Sequence, residues 1–82
     1  MERTKIYMVE RTKFEDVNGT LVLNNIIMII YDSLDKAIQH IKMTASVYDN
    51  VVLRNEDTEE ISAHFENKGI RTMESIKIES VY

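Results

Sequence analysis

Residues 5–14 alternate in character, with Ile6, Met8, Thr12 and Phe14 on one side and Tyr7 and Val9 on the other. That is the period of a β-strand. Val17-Asn18-Gly19-Thr20 follows. Asn-Gly accepts the positive φ angles of a type I′ turn, so the pattern predicts a hairpin in which residues 21–31 return antiparallel. On the returning segment the alternation stops. Residues 17–31 carry no charge, and Ile26-Ile27-Met28-Ile29-Ile30 is unbroken hydrocarbon. A strand that shows water one face alternates; this one predicts burial on both faces, as in the centre of a sheet. Asn24-Asn25 interrupts the run midway and marks a candidate bulge.

The period then changes. Leu34, Ala37, Ile38, Ile41 and Ala45 recur at helical spacing, with Tyr48 as a continuation, and predict an amphipathic helix covering one face of the sheet. Asp32-Ser33 supplies an N-cap, and Asp35 suits the positive end of the helix dipole. Met43 and Val47 fall on the opposite side. Residues 50–54 read as a strand. Residues 58–66 read as a strand, with Ile61, Ala63 and Phe65 alternating against Glu60, Ser62 and His64. They also read as a second short helix over 58–67, capped at Asp57 and ended by Gly69. Glu66-Asn67-Lys68-Gly69 has the composition of a tight turn, and residues 70–82 form a final strand with Ile70, Ile76 and Ile78 on one side.

The expected fold class is therefore α+β: an antiparallel sheet with one main helix on one face, in the order ββαβββ, as a single domain over residues 1–82. One helix covers one face only. Residues 21–31 place Val22, Ile26, Met28 and Ile30 on one side and Leu21, Leu23, Ile27, Ile29 and Tyr31 on the other. The second set is the expected oligomer interface, because monomers rarely leave so large an apolar patch in water. A homodimer is one way to cover it.

With 82 residues, the chain buries only roughly 60–65% of its unfolded surface. It has no Cys, which excludes disulfides, thiolate metal sites and cysteine nucleophiles, and which fits a reducing compartment. There is no secretory h-region, and no apolar run approaches the ~20 residues that span a bilayer. The expectation is a cytoplasmic protein with no membrane partner. The net charge is −4, and its acidic excess lies in residues 49–66, where Arg54 alone faces six carboxylates. That distribution argues against direct nucleic-acid binding, which needs a basic patch. It suits a partner with a basic surface. Glu56, Asp57, Glu59 and Glu60 are the candidate partner-binding residues, with Tyr48 and Asp49 extending the surface and Tyr48 as an aromatic anchor.

Candidate chemistry is sparse. The imidazoles are His40 and His64, without metal-ligand spacing. His40 falls near Lys36, off the apolar stripe, and reads as a solvated side chain. Ser33 reads as a cap. The two glycines, Gly19 and Gly69, are both taken by turns, so no phosphate-binding loop exists. The expectation is a non-enzymatic protein with no cofactor and no metal.

Lys5-Ile6-Tyr7-Met8-Val9-Glu10, the Asn18-Gly19 hairpin, Ser33-Leu34-Asp35-Lys36-Ala37 and Glu74-Ser75-Ile76-Lys77-Ile78 together resemble small accessory proteins of phages and prophages from low-GC Gram-positive bacteria. Some of those are anti-CRISPR or other anti-defence inhibitors that work without catalysis. The resemblance implies a small inhibitor of a host protein, such as a nucleic-acid-handling effector in the bacterial cytoplasm. A structural or assembly module acting through an apolar sheet face is the rival expectation.

Overall fold

A computed structural model describes residues 4–81. The elements run β1 (Thr4–Val17), β2 (Thr20–Tyr31), α1 (Leu34–Val47), β3 (Val52–Arg54), β4 (Ser62–Asn67) and β5 (Ile70–Val81). The strands form one antiparallel sheet in the order β2-β1-β5-β4-β3, with α1 packed on it. The α+β class and the ββαβββ order are as expected.

Two tight turns set the long hairpins. Asn18 and Gly19 have φ of 53° and 84°, and Lys68 and Gly69 have 53° and 80°. Both central residues are positive in each turn, as type I′ requires. The Asp16 carboxylate accepts from the Gly19 amide at 2.9 Å. Residues 58–67 are not a helix. Residues 55–61 form an irregular turn, and β4 starts only at Ser62, so the expected strand is right in type and shorter at its start.

The helix begins where its cap places it: Ser33 Oγ accepts from the Lys36 amide at 3.3 Å. Ala37, Ile38 and Ile41 are buried against Val9, Ile61 and Ala63, with Tyr7, Leu34, Leu53 and Ile76 around them. Thr44 is buried as well, because its hydroxyl bonds back to the His40 carbonyl at 3.3 Å and so carries no unpaired polar atom inward.

One expectation is reversed. The 21–31 strand is not central; β2 lies at the sheet edge, and its apolar side chains from Leu21 to Ile30 are exposed. The central positions go to β1 and β5, which pair from Thr4–Val81 to Glu15–Ile70. β5 takes the free side of β1 because its alternation matches the helix-facing side of β1, with Ile76 beside Val9 and Glu74 beside Arg11.

The bulge falls where Asn24-Asn25 suggests. Lys13 pairs with Asn25 and Phe14 with Leu23, leaving Asn24 as the additional residue. This shifts parity along β2. Ile27, Ile29 and Tyr31 sit opposite Arg11, Val9 and Tyr7 on the helix side. Leu23 and Leu21 sit opposite Phe14 and Asp16 on the bare side, together with Ile26, Met28 and Ile30. The expected set Leu21, Leu23, Ile27, Ile29 and Tyr31 therefore does not share one face, since a one-residue slip exchanges faces.

An added Cβ at Gly19 or Gly69 would meet nothing within 4 Å, so the cost of alanine there is purely conformational. Gly19→Ala and Gly69→Ala should each destabilise by about 1 kcal/mol. Urea unfolding checks this; a neutral effect at either site would contradict the positive φ.

Candidate functional site

The two sheet edges are built differently. β3 has three residues, with Arg54 at its end and the acidic turn beyond. A short, charged edge discourages pairing. β2 has twelve residues and no Lys, Arg, Asp, Glu or Pro. One side of its backbone ladder pairs with β1; among the described residues the other side has no strand. Ile30 is 62% exposed, and even Ile29, beside the helix, is 37% exposed. On the bare face Ile26, Met28 and Ile30 stand beside Thr12, Glu10 and Met8 of β1, of which Met8 and Thr12 are buried.

The helix lies over β1, β5 and β4 and reaches β2 at its Tyr31 end, leaving the side chains from Leu21 to Ile30 exposed. A trough of about 600 Å³ is left along its flank, lined by Arg11, Tyr31, Lys36, His40, Met43 and Val47 among others. Met43 and Val47, on the helix side away from the core, form its upper wall and are exposed. Ile27 and Ile29 stand on β2 next to it, opposite Arg11 and Val9.

A polar chain runs beneath this trough. Glu74 is fully buried. Arg11 Nε donates to Glu74 Oε2 at 2.8 Å, and His40 Nε2 lies 3.2 Å from the same oxygen. Tyr31 Oη is 2.7 Å from His40 Nδ1. A carboxylate only accepts, so His40 Nε2 is the donor to Glu74, while Nδ1 shares a hydrogen bond with the Tyr31 hydroxyl. His40 is therefore not a solvated side chain; it connects the end of β2 to the centre of the sheet. Position 74 lies two residues from both Thr72 and Ile76 and shares their face. The strand period thus carried the signal for its burial, while nothing local pointed to His40 or Arg11.

The acidic residues Glu56, Asp57, Glu59 and Glu60 are all exposed on the 55–61 turn. That turn is held by its own bonds. The Thr58 amide and hydroxyl both donate to the Asn55 carbonyl, at 3.2 and 2.8 Å, and the Glu60 amide donates to Thr58 Oγ1 at 3.2 Å. Ile61 then enters the core fully buried. Lys42 Nζ donates to Asp57. This hydrogen bond, opposed by a smaller desolvation and aided by the charges of Asp57 and Glu56, raises the Lys42 ammonium above its ordinary 10.5. The pair's contribution is complete below that value and is lost as pH rises through the raised one. At the helix start, the hydrogen bond from Lys36 and then its charge lower the Asp32 carboxyl below 3.8. That contribution is lost only as pH falls through the lowered value.

Tyr48 and Asp49 do not extend the acidic surface. Tyr48 stacks on Phe65, with ring centroids 4.3 Å apart and an interplanar angle of 18°. Asp49 adjoins a hollow lined by Tyr48, Phe65 and Asn67. The acidic turn leads into β4 at Ser62, three residues and roughly 10 Å along the strand from Phe65. Tyr48 thus serves packing, and the six candidate residues divide into two groups.

Among the described residues, no three His, Cys, Asp or Glu side chains cluster where a metal ion could be held, and no helix is long and apolar enough to cross a membrane.

Arg11→Met leaves the Glu74 carboxylate buried with only His40 beside it and should cost about 3 kcal/mol in urea unfolding. Arg11→Met combined with Glu74→Met removes both charges and should recover most of that loss. If the single variant is neutral, the ion pair does not hold the sheet. Comparison with protein-family models, curated proteins and solved structures gives no match.

Proposed function

We propose that this protein acts by binding polypeptide surfaces, without catalysis of its own, and that β2 is its principal contact. The observation that carries this reading is a twelve-residue edge strand, free of charge and exposed from Leu21 to Ile30, with one side of its backbone ladder open. An edge of that kind recruits an added strand: main-chain hydrogen bonds supply affinity, and alternate side chains supply selectivity. Proteins that do not use such an edge blunt it with charge, proline or brevity, as β3 is blunted here. This makes the chain an assembly or adaptor module.

A second reading draws on the acidic turn: an inhibitor of a host protein with a basic surface, of the anti-defence type that the sequence resembles. It is supported by a turn that its own hydrogen bonds fix in place, and by Glu56, Glu59 and Glu60. Among the described residues these three have no ion-pair partner. Binding of that kind is steered by charge and weakened by salt.

The two readings separate in one pull-down. The bait is the tagged chain, co-expressed with an untagged copy in a low-GC Gram-positive host, at low and high salt, with associates identified by mass spectrometry. Ile27→Lys with Ile29→Lys changes side chains that are already exposed, and circular dichroism checks that the variant folds. The expected result is at least one associate, foreign or self, that persists through high salt and is lost from this variant. If every associate survives the β2 substitutions and instead disappears at high salt and with Glu56→Lys, Glu59→Lys and Glu60→Lys, the β2 reading fails and the inhibitor reading takes its place.

A further inference from the structure

We infer that the occupant of the β2 edge is a second copy of the same strand, paired antiparallel about Met28, so that two chains share one ten-stranded sheet. This rests on the reading of β2 as the working surface and adds the partner and the register.

The register follows from the bulge. A two-fold axis perpendicular to the sheet pairs identical strands antiparallel and keeps the helices of both copies on the same side. Directly opposed residues must then share a face, so the axis must pass through a residue and not between two residues. The bulge at Asn24 interrupts parity on one side, and β2 ends at Tyr31 on the other. The regular stretch between them is residues 25–31, and its midpoint is Met28. About that point Ile26 meets Ile30 of the other copy on the bare face, and Ile27 meets Ile29 on the helix face. Asn25 meets Tyr31, and Met28 meets Met28. Every residue of the unbroken hydrocarbon run is matched to another of that run, and no charge meets a charge within it.

The exposed area is of the size a dimer uses. Residues 26–30 are 37–62% exposed, and Met43 and Val47, across the trough, are 65% and 68% exposed. Together they expose on the order of 700 Å² per copy, from which an interface near the roughly 800 Å² per partner of a standard complex can draw most of its area. The two troughs would lie side by side above the shared strands, with Met43 and Val47 of each copy facing the other helix.

The chain has no native cysteine, so single cysteines report the contact directly. Cα atoms of directly opposed strand residues lie at disulfide distance. Under mild oxidation Met28→Cys should link to itself, and Ile26→Cys should link to Ile30→Cys in a mixture. Val52→Cys, exposed on the β3 edge, should stay monomeric. Sedimentation of the wild-type chain over a hundredfold dilution through the micromolar range should give twice the chain mass at the upper end, and Ile27→Lys with Ile29→Lys should give the single mass throughout. A wild-type monomer at every concentration overturns the inference, as does a dimer that links at position 52 in preference to 28. If the chain is monomeric and a foreign protein still requires β2 in the pull-down, only the identity of the occupant is overturned. If nothing requires β2, the reading beneath it falls too.

Discussion

The contact on which the rest of this structure depends is the direct opposition of Arg11 and Glu74 across the β1–β5 ladder. It joins two strands that lie more than sixty residues apart along the chain. A carboxylate taken fully out of water is tolerated only with a cation and hydrogen-bond donors in place. Slipping the ladder by one residue would turn Glu74 to the other face and leave Arg11 without it. The ion pair therefore makes one register much better than its neighbours, and that register decides which strand is central. Once β5 holds β1 on one side, β2 has only the outer position left.

The same carboxylate reaches further through His40. The imidazole bridges from the middle of the sheet to the hydroxyl of Tyr31, the last residue of β2, and its ring meets Tyr31 edge-on. The edge strand is thus fixed at its helix-proximal end by a buried polar chain, while its remaining length depends on the β1 ladder alone. A strand fixed in this way presents its open edge in a defined position, which lowers the ordering cost of an added partner.

Local signals in the sequence were sufficient for the hairpin turns, the helix cap, the apolar stripe and the bulge, because each depends on residues within a few positions of one another. Asn18-Gly19 and Asn24-Asn25 state their conformations almost alone. Sheet order was not legible, because hydrocarbon on both sides of residues 26–30 fits a central strand and an unoccupied edge equally well. The difference lies in where β5 pairs, which is a long-range choice. The trough and its polar floor were hidden for the same reason: Arg11, Tyr31, His40 and Glu74 come from four elements. The acidic turn was visible as a charge excess, but its separation from Tyr48 needed the length of β4.

The β1–β5 ladder also brings Thr4 and Val81 face to face. Thr4 and Val81 therefore lie side by side at one end of the long ladder, while Asn18-Gly19 turns beside Lys68-Gly69 at the other, where the Asp16 amide reaches the Gly69 carbonyl at 3.4 Å. A short covalent bridge between Thr4 and Val81 would add little strain, and a new opening at either glycine turn would then leave every strand pair in place.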